Sequence, residues 1–102
     1  MARLVVLYRK AADAAAFGDH YVKTHIPLAK AIPGLRRYEV SAGPVTTPGG
    51  DRPYELVAIL EFDSLAAIQQ ALGTPEGQAA AGDLRNFAQA GVELLMFETK
   101  PA

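Results

Sequence analysis

Apolar and polar positions along the chain divide it into alternating and helical stretches. Residues Arg3 to Arg9 (RLVVLYR) alternate, with Leu4, Val6 and Tyr8 on one side and Val5 and Leu7 on the other. Both sides are apolar, which is how a central strand covered on two faces reads. From Asp13 the period changes. Counted at about 100° per residue, Ala14, Phe17, Tyr21, His25, Leu28, Ala31 and Ile32 gather on one face, and Asp19, Lys23 and Lys30 on the other. This predicts a helix capped by the Asp13 side chain and ended at Pro33-Gly34. Pro27 interrupts it. Its missing N–H leaves the Lys23 carbonyl without a helical partner, and Ile26 is pushed from helical angles. A kink or restart is expected around His25.

Leu35 to Ala42 (LRRYEVSA) predicts a second strand, polar enough for a sheet edge. Gly43 to Pro53 (GPVTTPGGDRP) is turn chemistry throughout, too long for a tight hairpin, and the segment expected to move most. Tyr54 to Phe62 (YELVAILEF) predicts a central third strand, with Tyr54, Leu56, Ala58, Leu60 and Phe62 on one face and Val57 and Ile59 on the other. Ser64 caps a second helix with Leu65, Ile68 and Leu72 inside. Gly73-Thr74-Pro75 stops and restarts it as a glycine, a threonine cap and a proline in the first turn. The restarted piece is expected to run to about Ala90, with Ala79, Leu84, Phe87 and Ala88 inward. Its AAAG run, Ala79 to Gly82, either brings elements close or leaves room for a ligand. Val92 to Thr99 predicts the last strand.

The order is β-α-β-β-α-β. Right-handed crossovers place both helical segments on one face of a four-stranded antiparallel sheet. The expected fold is an α+β, ferredoxin-like sandwich, one domain over residues 1–102. Helices cover only one sheet face, while three strands are apolar on both. The bare face would be a larger apolar patch than monomers usually expose, so a homodimer is expected. Two sheets meeting about a two-fold axis give a dimeric α/β barrel.

Composition narrows the function. With 102 residues, half of them hydrophobic, and a net charge of −1, the chain has enough apolar material for a core and no basic stripe for nucleic acid. No apolar run approaches the ~20 residues of a membrane span, and the amino end does not continue as a signal peptide does. No cysteine is present, which excludes disulfides and thiolate chemistry. The setting expected is the cytoplasm.

His25 is the sharpest chemical feature, a ring that titrates near neutrality on the inward face beside a backbone break. It reads either as a general acid or base or as a structural ring bonded to the carbonyl that Pro27 frees. His20 lies nearer the polar boundary. The two histidines are five apart, and no carboxylate stands at ligand spacing with His25, so no metal is expected. Tyr8, Tyr21, Tyr38 and Tyr54 either line a pocket or pack as core with hydroxyls at the rim. Tyr21 is favoured because it neighbours His25 on the same face. Phe17, Phe62 and Phe87 would form an apolar wall. Strand glutamates Glu55, Glu61, Glu93 and Glu98 would become bases only if turned inward. Gly49-Gly50 lacks the lysine and helix start of a phosphate cradle.

Several of these residues together resemble the EthD family of small dimeric α/β-barrel proteins. They are Phe17-x-x-x-Tyr21-x-x-x-His25-x-Pro27-Leu28-Ala29, then Pro33-Gly34-Leu35 with Tyr38, Phe62-Asp63-Ser64, and Asp83 to Phe87 (DLRNF). The resemblance spans most of the chain. It implies the fold, the dimer, a cytoplasmic bacterial setting, and chemistry without a metal or bound cofactor. The expected function is an enzyme acting on a small hydrophobic or aromatic compound by isomerisation, dehydration or oxygenation, or an accessory role in ether degradation. His25 would be catalytic, and Tyr8, Phe17, Tyr21, Phe62 and Phe87 would contact the ligand. The alternatives are a non-catalytic dimeric binding module and a haem-binding barrel, which needs an accessible axial histidine.

Overall fold

The computed structural model describes residues 1–102. Strands β1 (Ala2–Arg9), β2 (Arg37–Val40), β3 (Tyr54–Phe62) and β4 (Val92–Glu98) form one antiparallel sheet in the order β2-β3-β1-β4. The ferredoxin-like arrangement expected from the element order is thus the one observed. β1 is central, pairing Leu4 with Leu60 and Met96, and Val6 with Ala58 and Leu94. β2 is shorter than its sequence pattern, because only Arg37 to Val40 ladder against β3. Its flanks still bond that strand: Arg36 N–H donates to the Glu61 carbonyl and Ser41 N–H to the Val57 carbonyl.

All helices lie against the face carrying Leu4, Val6, Tyr8, Ala58, Leu60 and Phe62, each buried. The first helical region has three parts: α1 (Ala14–His20), a π-helical turn (Tyr21–His25) and α2 (Ile26–Lys30). Asp13 accepts from Ala16 N–H as the expected cap. The π turn is closed by Ile26 N–H donating to the Tyr21 carbonyl, and Pro27 stands in the first turn of α2. This corrects the helical wheel. Phe17, Tyr21, His25, Ala29 and Ile32 are the buried residues; Ala14 and Ala31 are exposed and Leu28 is only partly covered. A repeat of four drifts around a 3.6-residue helix, but the wider π turn takes in more residues and cancels the drift. Phe17, Tyr21, His25 and Ala29 therefore stay in one line. Gly34 ends the region at φ 82°, in the left-handed region.

α3 (Leu65–Gly73) is capped by Ser64, and α4 (Pro75–Phe87) by Thr74. α4 ends at Phe87, short of the expected Ala90, and its inward stripe also differs. Gly77, Ala80, Asp83 and Phe87 are buried, while Ala79 is exposed. Gly77 sits so close to the end of α3 that a Cβ there would overlap the Ala71 carbonyl oxygen.

The other sheet face has no cover. Ile59, Leu95 and Phe97 are each 38–50% exposed, with Val5 and Leu7 half-buried between them. The surface of 6165 Å² exceeds the ~5,500 Å² expected of a compact monomer of this mass.

Candidate functional site

The π turn directs His25 inward, where its ring is only 6% exposed. α4 brings Asp83 to it across 58 residues of sequence, with His25 Nδ1 2.9 Å from Asp83 Oδ2. His20 Nε2 lies 2.9 Å from Oδ1 and 3.1 Å from Oδ2 of the same carboxylate, and Asn86 Nδ2 donates to Oδ1 at 3.0 Å. Three donors thus surround one buried carboxyl. Burial alone would favour its neutral form, but the bonds from Asn86, His25 and His20 outweigh that and hold Asp83 below the usual carboxylate range.

An ionised carboxylate can only accept. The proton on neutral His25 therefore resides on Nδ1, and Nε2 keeps a lone pair. Tyr8 O–H points at that lone pair from 3.4 Å, a long contact. Burial lowers the His25 pKa more than the Asp83 bond and charge raise it, so the ring is neutral at pH 7 and Nε2 is a competent base. The Tyr21 and Tyr38 hydroxyls bond one another beside it. Burial, chiefly, raises the pKa of Tyr8, Tyr21 and Tyr38, so all three are uncharged proton donors.

These groups open on an apolar cavity between sheet and helices, about 440 Å³ counting the space at its mouth. Tyr8, Tyr21, Tyr38 and His25 supply its polar atoms, and Leu4, Val6, Leu60, Leu84 and Leu94 much of its wall. Gly77, Ala80 and Ala81 also line it, so this small-residue stretch both permits the helix contact and leaves space.

The residues expected at the site separate. Tyr8, Tyr21 and His25 meet at the cavity. Phe17 and Phe87 lie behind them, packed on Tyr8 at ring separations of 5.4 and 5.5 Å, and line a second, open cavity near the α1 start and α4 end. Phe62 lines neither; it is wholly buried, close to Gly34. No carboxylate stands at ligand spacing with His25 along the chain, yet the fold supplies Asp83 from 58 residues away. An acid on a helix reads as a surface charge, and its signals were its place four residues before Phe87 and its position in the DLRNF stretch of the family resemblance. Tyr54 points elsewhere, donating to Glu93. No cluster of three or more His, Cys, Asp or Glu is arranged to hold a metal ion. The haem reading needs an accessible axial histidine, and the His25 ring is only 6% exposed. No helix is long and apolar enough to cross a membrane.

Fold and site together define a ferredoxin-like domain with a histidine–carboxylate pair at the end of an apolar cavity. The EthD domain model matches residues 9–91, and the chain belongs to the EthD family. It is 43% identical over 97 residues to an uncharacterized 11.0 kDa protein of the thcB-thcC intergenic region of Rhodococcus erythropolis, covering 93% of this chain and 91% of that one. Among solved structures, an EthD family protein from Bacillus halodurans superposes with a TM-score of 0.89 at 35% identity, covering 98% of this chain and 99% of its own. SnoaB from Streptomyces nogalater, a cofactor-independent oxygenase, shares the fold at a TM-score of 0.65 and 22% identity, covering 99% and 94%.

Proposed function

We propose that the chain is an enzyme that moves a proton on a small hydrophobic or aromatic compound, without a metal or bound cofactor. The observation that carries this reading is the buried His25–Asp83 pair, with a neutral Nε2 aimed into an apolar cavity. A ligand carrying a ring carbonyl or phenol displaces the Tyr8 hydroxyl from Nε2. His25 takes the proton, and Asp83 stabilises the imidazolium formed. The charge left on the ligand oxygen receives a hydrogen bond from Tyr21 or Tyr38. Returning the proton to another atom gives an isomerisation; loss of a leaving group gives a dehydration. A carbanion reacting with oxygen gives an oxygenation, the reaction type of SnoaB.

The reading also places a second copy of the chain on the bare sheet face. Register rows there run Glu39–Ile59–Val5–Leu95 and Arg37–Glu61–Arg3–Phe97, an apolar centre with charged ends. Burial at about 25 cal/mol per Å² favours covering that centre.

Deuterium exchange tests the chemistry. Cyclic ketones, unsaturated lactones and hydroxyanthrones are incubated with the protein in D2O and followed by NMR. At least one bound compound should exchange a carbon-bound proton, and His25→Gln should slow this at least about a hundredfold. The Tyr8 hydroxyl already on Nε2 supports a second reading, a binding module without turnover. Compounds that bind but exchange no faster than in buffer, or as fast with His25→Gln, would establish that reading instead.

A further inference from the structure

The Asp83 carboxylate lies between residues that line two different cavities. On one side it holds His25, which lines the ligand cavity. On the other it holds His20, which lines the second cavity and keeps 28% of its side chain exposed. His20 is not held by Asp83 alone, since its ring stacks on Phe87 with centroids 4.9 Å apart and planes 22° apart. Phe87 in turn packs against the His25 ring, also at 4.9 Å. A solvent-facing imidazole and a buried one therefore share one anion and one aromatic plate.

We propose that His20 is a positioning residue for His25. Acting through Asp83, it fixes the carboxylate so that His25 keeps its proton on Nδ1, and in acid its own charge draws the anion away from His25. The assignment rests on His25 being the base of the proposed reaction.

Without His20, the carboxylate keeps two donors, Asn86 and His25, and loses the contact that touches both its oxygens. Two imidazoles on one carboxylate cannot both be paired fully with its single charge, so their protonations oppose one another. The charge of His20 already acts to lower the His25 pKa. The other titratable groups near His25 are Tyr8 from β1, Tyr21 on its own helix and Tyr38 from β2, all uncharged at neutral pH. Around His20, Asp19 and Lys23 pair with each other at 2.8 Å, which leaves Asp83 as its only anionic partner. A proton reaching His20 from the second cavity thus makes His25 a weaker base.

The test uses the folded protein with 15N-labelled histidine and no ligand. In wild type, NMR should show His25 with a protonated Nδ1 and a bare Nε2, titrating in steps linked to His20. His20→Phe keeps the stack on Phe87 but removes both the donor and the charge. It should raise the His25 midpoint by about one pH unit, collapse the linked steps into one and mix the two tautomers. His20→Gln keeps an N–H donor without the charge. It should restore the Nδ1–H tautomer while keeping the raised midpoint. An unchanged His25 midpoint in both variants overturns the proposal. If His20→Phe fails to fold, the His20→Gln midpoint decides alone: raised supports the proposal, unchanged overturns it. Because no ligand is used, the outcome is separate from the deuterium-exchange test. A linked titration with no exchange keeps the coupling and removes the catalysis; exchange without linkage keeps His25 and removes His20.

Discussion

At the scale of single residues, the site depends on where protons sit. Asp83 has three donors and no proton of its own, which makes one His25 nitrogen a donor and the other an acceptor. Stability should record this. The folded-state pKa of His25 lies below its ordinary value of 6.5, so between the two values the unfolded chain holds more protons than the folded one. Stability is then complete above about pH 6.5 and falls as the pH drops through the folded value. Asp83, also lowered, has the same sign in a second window below its ordinary 3.8. Melting temperature followed by circular dichroism should decline from pH 7 to 5, and His25→Gln should flatten that decline. A wild-type melting temperature that rises between pH 7 and 5 would contradict the assigned direction. His25 and Tyr21 were legible in the sequence because they share one helix. Asp83 was not, because partnership across 58 residues leaves no local period.

At the scale of elements, helix interruptions place the chemistry. The π turn was legible only as a disturbance near Pro27, and its consequence, the straight line of Phe17, Tyr21, His25 and Ala29, was not. Strands were easier to read, since alternation gives the face directly: Leu4, Val6 and Tyr8 are buried as their period demands. The α3–α4 joint is a second interruption. Thr74 caps α4 by accepting from Gly77 N–H at 3.0 Å and donates to the Ala71 carbonyl at 2.6 Å. Gly77→Ala would push a methyl into that backbone and should cost about 1–3 kcal/mol. Gly82→Ala, in the same helix with no atom nearer than the Arg85 guanidinium at 4.0 Å, should add about 0.5–1 kcal/mol through helix propensity. Denaturant midpoints of the two variants should move in opposite directions, and a Gly77→Ala midpoint at or above wild type would show that the joint has slack.

At the scale of the whole molecule, the sheet is a partition. Its inner face holds the cavity and its outer face is apolar and bare, both legible from strands that are hydrophobic on both sides. What the sequence did not locate is the open cavity beside His20, because it forms between the α1 start and the α4 end rather than along any one element. With a second copy on the outer face, sedimentation should give twice the chain mass. Leu95→Lys, at a position 50% exposed in the single chain, should shift the protein to monomer without lowering the helix signal. A wild-type chain that sediments as a monomer at all concentrations would remove the barrel.

The distance along the chain between His20 or His25 and Asp83, 63 and 58 residues, has a kinetic side. The chain between them carries β2, β3 and α3, so bringing Asp83 to the first helix closes a long loop and carries the entropy cost of doing so. Partly folded chains hold the two imidazoles without their anion. The base is complete only once α4 has docked, and the His25 Nδ1–H proton is a reporter of that docking.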